Sequence, residues 1–154
     1  MDITKIYTDG SSRGNPGPGG WGAILKYKEH VKELSGSYRH TTNSRMELMA
    51  AVEALSQIKR EGVNIEIYSD SKYVVDSVEK KWLFKWEKDN FEDRANADLW
   101  KRFVELYRKF KVKMIWVKGH SSNQDNNRCD ELATSASANE NKSNWLIDTN
   151  YEKL

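Results

Sequence analysis

The sequence predicts a mixed α/β fold, a sheet of five strands with helices on its faces. Three observations predict it. Apolar residues alternate with period 2 both before and after a long segment of helical period. A further helical segment separates the last two strand segments. No linker, internal repeat or low-complexity tract divides the 154 residues, a length suited to one domain.

The first strand is expected over Ile3 to Thr8, and the Gly/Pro/Asn-rich stretch Asp9 to Gly20 reads as a loop. Trp21 to Lys28 places Trp21, Ala23, Leu25 and Tyr27 on one face of a second strand, and Val31 to Tyr38 is a weaker third. Glycine-flanked antiparallel connections join these three. From Ser44 to Arg60, Leu48, Ala51, Val52, Leu55 and Ile58 follow helical spacing, with Gly62 placed to cap the end. Val63 to Ser69 alternates as a fourth strand ending at Asp70, and Ser71 to Lys81 is helical through Val74, Val75 and Val78. Lys80 to Asn96 mixes Trp82, Phe84, Trp86 and Phe91 with dense charge and no clean period, the pattern of a protruding excursion. Asp98 to Phe110 is a helix and Lys113 to Lys118 a fifth strand. Gly119 to Asn127 is a polar loop, and Arg128 to Ser137 a last helix.

Composition narrows the function. Lys+Arg number 25 against 23 Asp+Glu, a net charge of +2, and a hydrophobic fraction of 38% with six Trp is enough for a packed core rather than a disordered chain. The longest apolar runs are a few residues, far short of the roughly 20 that a membrane helix needs. The first residues enter a strand pattern with no signal-peptide layout, so a cytoplasmic location is expected. Cys129 is the only cysteine, which excludes an internal disulfide and a cysteine-based zinc site. Between Lys101 and Lys118 seven basic residues face one acidic residue, either a solvated face or a phosphate-facing patch.

Three acids sit where an element meets a loop: Asp9, Glu47 and Asp70. Ligands of α/β folds gather outside the carboxyl ends of strands. If the first and fourth strands are parallel neighbours linked by the long helix, Asp9 and Asp70 lie side by side. Clustered carboxylates repel one another unless a hard cation sits among them, and oxygen ligands without Cys or His point to magnesium or manganese. Each acid also has a purely structural reading. Ser44-Arg45-Met46-Glu47 spells a capping box, Asp70 can cap a helix, and Asp9-Gly10 can be a turn. Gly17 to Gly22 satisfies G-x-G-x-x-G, but it opens a strand rather than a helix, which argues against a nucleotide-cofactor domain.

The segments Tyr7-Thr8-Asp9-Gly10-Ser11 with Gly14 to Gly20, Thr41 to Leu48, Ser69-Asp70-Ser71, Trp116 to His120 and Asn127 to Ala133 occur in the order found in type 1 ribonuclease H of the bacterial type. The chain resembles that family from near residue 5 to near residue 138. The resemblance implies the RNase H-like fold: a five-stranded mixed sheet, the first three strands antiparallel and strands one, four and five parallel, in a single catalytic domain over 1–154. It implies an endoribonuclease that hydrolyses the RNA strand of RNA–DNA hybrids, leaving 5′-phosphate and 3′-hydroxyl ends. Asp9, Glu47, Asp70 and Asp130 correspond to the carboxylates that hold two Mg2+ ions, with Mn2+ as a substitute, and His120 to a histidine assisting proton transfer or product departure. Ser12, Asn15 and Asn43 match positions that read 2′-hydroxyls, the groups that separate RNA from DNA. Ser44, Lys72 and Asp76 depart from the Asn or Gln often found in bacterial relatives. Thr42, with Asn15, resembles a pocket for a DNA-strand phosphate. The excursion, about residues 80–96, resembles a basic protrusion gripping the DNA strand, with Trp82 and Trp86 either lying against substrate or packing the protrusion onto the core. The role of residues 139–154 is not legible. The expected partner is the hybrid alone, with no membrane and no obligatory protein partner, and the chain is expected to be a monomer. The alternative function is a hybrid-binding module without catalysis.

Overall fold

The computed structural model describes residues 2–119, 123–139 and 145–153. In chain order its elements are β1 (Ile3–Ser12), β2 (Gly17–Tyr27), β3 (His30–Thr41), α1 (Asn43–Ser56), β4 (Asn64–Ser69), α2 (Lys72–Glu79), α3 (Trp82–Lys88), α4 (Ala97–Tyr107), β5 (Lys111–Trp116), α5 (Gln124–Ser137) and α6 (Thr149–Glu152). The strands form one sheet in the order β3-β2-β1-β4-β5. β1, β2 and β3 pair antiparallel, while β1, β4 and β5 pair parallel, as the resemblance implies. The larger core, with Ile6, Leu48, Val52, Ile67, Val78, Trp100 and Phe103, lies under α1, α2 and α4. A smaller one, Tyr7, Ile24 and Cys129, lies under α5. Among the described residues no helix is long and apolar enough to cross a membrane.

The stretch Asp9 to Gly20 is mostly strand, not loop: β1 continues to Ser12, β2 begins at Gly17, and Ser12 pairs with Gly19. Gly20, and Gly22 just beyond it, serve a long-range contact rather than a turn. A Cβ on Gly20 would lie 2.5 Å from the Ala133 carbonyl oxygen, and one on Gly22 would lie 2.6 Å from the Leu132 Cβ. Bare backbone lets α5 rest directly on β2. The G-x-G-x-x-G run lies inside this strand and opens no helix, which removes the nucleotide-cofactor reading.

Helix α1 starts at Asn43, capped by Thr42, whose hydroxyl oxygen accepts the Arg45 N–H at 3.2 Å. Ser44 is therefore not the N-cap, and Arg45 rather than Glu47 holds the third helical position, so no capping box forms. The helix ends at Ser56, four residues before Arg60, where Gln57 and Ile58 turn to i−3 hydrogen bonds. Gly62 does adopt the left-handed region, φ +79°, but in the loop, where its N–H bonds the Lys109 carbonyl at 2.8 Å. Other boundaries shift as well: β3 runs on to Thr41, α4 stops at Tyr107, β5 runs from Lys111 to Trp116, and α5 begins at Gln124 because Asn123 caps it. The excursion contains the short helix α3, anchored by buried Leu83 and Phe91.

Arg45 is 4% exposed in the middle of this apolar architecture. Its Nε and Nη2 donate to Asp148 at 2.7 and 2.9 Å, and its Nη1 and Nη2 donate to Asp98 at 2.9 and 2.7 Å. Thr41 Oγ1 donates to the same Asp148 carboxylate at 2.7 Å. Together with backbone bonds between Leu146 and β3, and the Arg39–Glu152 pair at 2.9 Å, this straps residues 145–153 across β3 and α1. Asp148→Ala leaves Arg45 its pair with Asp98 but removes its more buried partner and the acceptor of the Thr41 hydroxyl. It is therefore expected to cost about 1–3 kcal/mol, seen as a lower midpoint in urea unfolding. An unchanged midpoint would show that the strap lies outside the cooperative fold.

Candidate active site

The parallel register of β1 and β4 reaches the rung Tyr7 with Tyr68. Two residues further along each strand, Asp9 and Asp70 come level at the sheet's carboxyl edge. Helix α1 crosses the same edge over Gly10. A Cβ there would lie 2.3 Å from the Glu47 backbone nitrogen, so only glycine admits this approach. As a result one oxygen from each of Asp9, Glu47 and Asp70 lies within 4.8 Å of the others. The Gly10 N–H donates to Asp9 Oδ1 at 2.9 Å and to Glu47 Oε1 at 3.1 Å, tying the two side chains to one amide. Asp130, from α5, lines the same cleft with Asp9, Asp70, Gly119, Asn126 and Asn127. It stands outside the tight triplet.

Burial and like charge dominate the electrostatics. Burial pushes the Asp9 carboxyl up to about 7, the close approach of Glu47 opposing and the charge of Asp70 reinforcing the shift. Burial, then the neighbouring Asp9 charge, hold Glu47 well above the ordinary carboxylate range. Its Oε2 is buried with no hydrogen-bond partner among the described residues. A desolvated, unpartnered carboxylate oxygen facing two further carboxylates is a poor arrangement for an empty protein and a good one for a hard divalent cation, and the all-oxygen donor set fits that class of ion. Asp9, Glu47 and Asp70 are thus the residues able to hold it.

The other expected site residues gather around this cluster in part. Asn15 Oδ1 accepts the Asn43 N–H at 3.0 Å, fastening the β1–β2 turn to the start of α1. Thr42 is half-buried beneath that contact, Asn43 and Ser44 are exposed on the first turn, and Ser12 is half-buried at the end of β1. Lys72 is exposed at the start of α2, two residues beyond Asp70, with its Nζ 4.8 Å from the centroid of the Trp116 ring. In the protrusion Trp82 is 39% exposed. Trp86 instead packs edge-on against Trp100 with centroids 5.8 Å apart, and Arg94 covers its ring, so it fastens the protrusion to α4. Glu87 is paired with Arg108, which neutralises the one acid among the four lysines of residues 80–88. His120 lies outside the described residues.

Sequence reasoning missed Asn126 and Asn127 on the cleft wall. A signal existed, because they stand four and three residues before Asp130 and so share its helix face. It also missed Gly119, where a Cβ would lie 2.9 Å from Asp70 Oδ2. A larger groove, about 690 Å³ between β2, β3 and the end of α1, opens at the opposite end of the sheet and has no carboxylate in its wall. The acidic cleft is too small to enclose a small molecule, a form that suits a polymer lying across it.

Residues 2–138 match the family model described as RNase H. The chain belongs to the RNase H family. It is 52% identical over 136 residues to the ribonuclease H of Syntrophomonas wolfei, covering 85% of this chain and 93% of that relative. Among solved structures, LC9-RNase H1, described as a type 1 RNase H with the type 2 active-site motif, superposes with a TM-score of 0.81 at 27% identity, covering 99% of this chain and 80% of that one. LC11-RNase H1, solved in complex with an RNA/DNA hybrid, shares the fold with a TM-score of 0.67 at 21% identity, over 88% of this chain and 96% of that one. With the acidic cluster in place, the activity is that of a ribonuclease H, an endonuclease.

The raised carboxylates make an ion-free RNase H fold sensitive to pH. A carboxylate whose folded pKa lies above its unfolded value favours the fold below the unfolded value, and that contribution is lost as pH rises through the folded one, here from about 4 to about 7 for Asp9. In chelator the urea midpoint is expected to fall over that range. Asp9→Asn removes the burden and is expected to be more stable than the parent by on the order of 1–3 kcal/mol at about pH 8, while Mg2+ raises the parent's midpoint more than the variant's. A variant less stable than the parent in chelator would contradict the electrostatic account.

Proposed function

We propose that this RNase H hydrolyses the RNA strand of RNA–DNA hybrids with little sequence preference, by a two-metal-ion mechanism that leaves 5′-phosphate and 3′-hydroxyl ends. The observation that carries the reading is the convergence of Asp9, Glu47 and Asp70 on one point at an open sheet edge, beside the N-terminus of α1. Asp9, Glu47, Asp70 and Asp130 hold two Mg2+ ions, with Mn2+ able to replace them. Ions so held supply Lewis-acid stabilisation of charge on the phosphoryl oxygens and a water acidified toward neutrality. The chain's own part is preorganisation. The Gly10 amide fixes one oxygen each of Asp9 and Glu47, so the remaining oxygens keep a set direction and need no rearrangement when charge develops.

Substrate register comes from the start of α1. Thr42 and Asn15 take a DNA-strand phosphate where the first helix amides favour an anion. Ser12, Asn15, Asn43 and Ser44 present small polar groups to 2′-hydroxyls in the minor groove, and Lys72 meets substrate on the far side of Asp70. Trp82, with Lys80 5.5 Å from its ring centroid, offers the protrusion's exposed aromatic to the DNA strand. Trp86 serves the same grip by holding the protrusion in place. His120 assists proton transfer or product departure. The described neighbour bound to a hybrid supports the substrate class. The 154 residues act as one catalytic domain with a protrusion near 80–96 and a C-terminal strap, as a cytoplasmic monomer without an obligatory protein partner.

Asp70→Asn keeps the shape of the side chain and removes its charge. It is expected to reduce hybrid cleavage in Mg2+ by about 10³-fold while leaving circular dichroism and hybrid binding near those of the parent. RNA–RNA and DNA–DNA duplexes are expected to remain uncut by either protein. Near-normal cleavage by the variant would overturn the mechanism, and binding of hybrids by the parent without any cleavage would replace it by the binding-module reading.

A further inference from the structure

We infer that Lys72 and Trp116 form a single substrate-contact unit, a lysine seated on a tryptophan face that takes an RNA-strand phosphate beside Asp70. The inference rests on the hybrid-cleavage reading above. Trp116 is the last residue of β5 and is 44% exposed. It belongs to neither apolar core, so burial does not account for a tryptophan there. Its ring is nevertheless held. The indole Nε1–H donates to the Asp70 carbonyl at 3.2 Å, and the strand beneath is locked to β4 by the Val117 N–H bonded to the Ser69 carbonyl at 2.9 Å. An exposed aromatic plane is thereby fixed relative to the metal-binding aspartate.

Lys72 is the first residue of α2, where a positive charge opposes the helix dipole. Helix stability therefore disfavours a cation at this position. Among the described residues Lys72 forms no ion pair, and instead of turning to a carboxylate of the nearby cluster its ammonium lies 4.8 Å from the Trp116 ring centroid. That contact limits the freedom of a long side chain while leaving the ammonium donors open to solvent. An ammonium is a compact charge with no directional demand, suited to a phosphate oxygen rather than to telling one hydroxyl from another. Its neighbourhood is the strand that presents the scissile phosphate to Asp70, so the phosphate it meets is on the RNA strand. The unit supplies affinity and register on the side of the cleft opposite Thr42 and Asn15.

The test is steady-state cleavage of one hybrid at fixed Mg2+ over KCl from about 50 to 300 mM. Loss of one phosphate contact makes the fall of log kcat/KM with log salt shallower by about 0.7–0.9. Lys72→Gln is expected to show that shallower slope, with kcat/KM about 5–10-fold lower at the lowest salt, and the loss falling on KM. Lys72→Arg is expected to restore the slope. Trp116→Leu is expected to reproduce the Lys72→Gln phenotype in part, and the double variant to be no worse than Lys72→Gln alone, because the tryptophan acts by holding the lysine. An unchanged slope in Lys72→Gln, or additive losses in the double variant, would overturn the inference. A parent enzyme that cuts no hybrid at all would instead overturn the activity on which it rests.

Discussion

The absence of a side chain at Gly10 sets the distance between α1 and β1, and the active site depends on that distance. With a methyl group there, the helix would have to lift by more than an ångström, since the Cβ position lies 2.3 Å from a backbone nitrogen. Glu47 would then leave the reach of the Gly10 amide and of Asp9. The same residue supplies the amide that both carboxylates share. Strand alternation completes the arrangement: Gly10 faces α1, and its neighbour Asp9 stands toward the other face, where α5 brings Asp130. One strand thus receives a helix on each side within two residues.

Helix α1 carries two buried charges of opposite fate. Arg45 is fully matched, with two carboxylates and every contact at hydrogen-bond distance. Glu47, two residues on, keeps an oxygen without a partner among the described residues. The contrast separates structural from functional burial of charge. The Arg45 network fixes the position of the helix against α4 and the C-terminal strap, and the rigid helix then holds Glu47 where solvation and like charge both disfavour it. Active sites commonly store such strain, offset by stability elsewhere in the fold.

The surface around the carboxylates follows the same division between held and exposed groups. Thr42 spends its hydroxyl oxygen on the helix cap and Asn15 spends its carbonyl on the Asn43 amide, so the start of α1 is ordered by the fold itself. Trp86 is committed to packing while Trp82 is exposed. Groups ordered in advance reduce the ordering that binding must impose.

By itself the sequence determined the fold class, the order of strands and helices, and the acids that matter, because alternation, helical period and isolated carboxylates at element ends are local properties of the chain. The resemblance of its motifs extended that reading to the strand order and to the family. Where local signals had two meanings, only the tertiary structure decided between them. Asp9 to Gly20 reads as a loop because glycine's turn preference is local, whereas Gly10 answers to α1 and Gly20 to α5, the latter more than 100 residues away in the chain. Ser44 to Glu47 looked like a capping box because spacing cannot tell which residue starts the helix, and the contact that claims Glu47 comes from Gly10. No local pattern linked Arg45 to Asp148, separated by 103 positions, or set Lys72 on Trp116. Those pairings exist only once parallel strands and crossing helices bring distant residues within a few ångströms, where burial turns charge and shape into strong constraints.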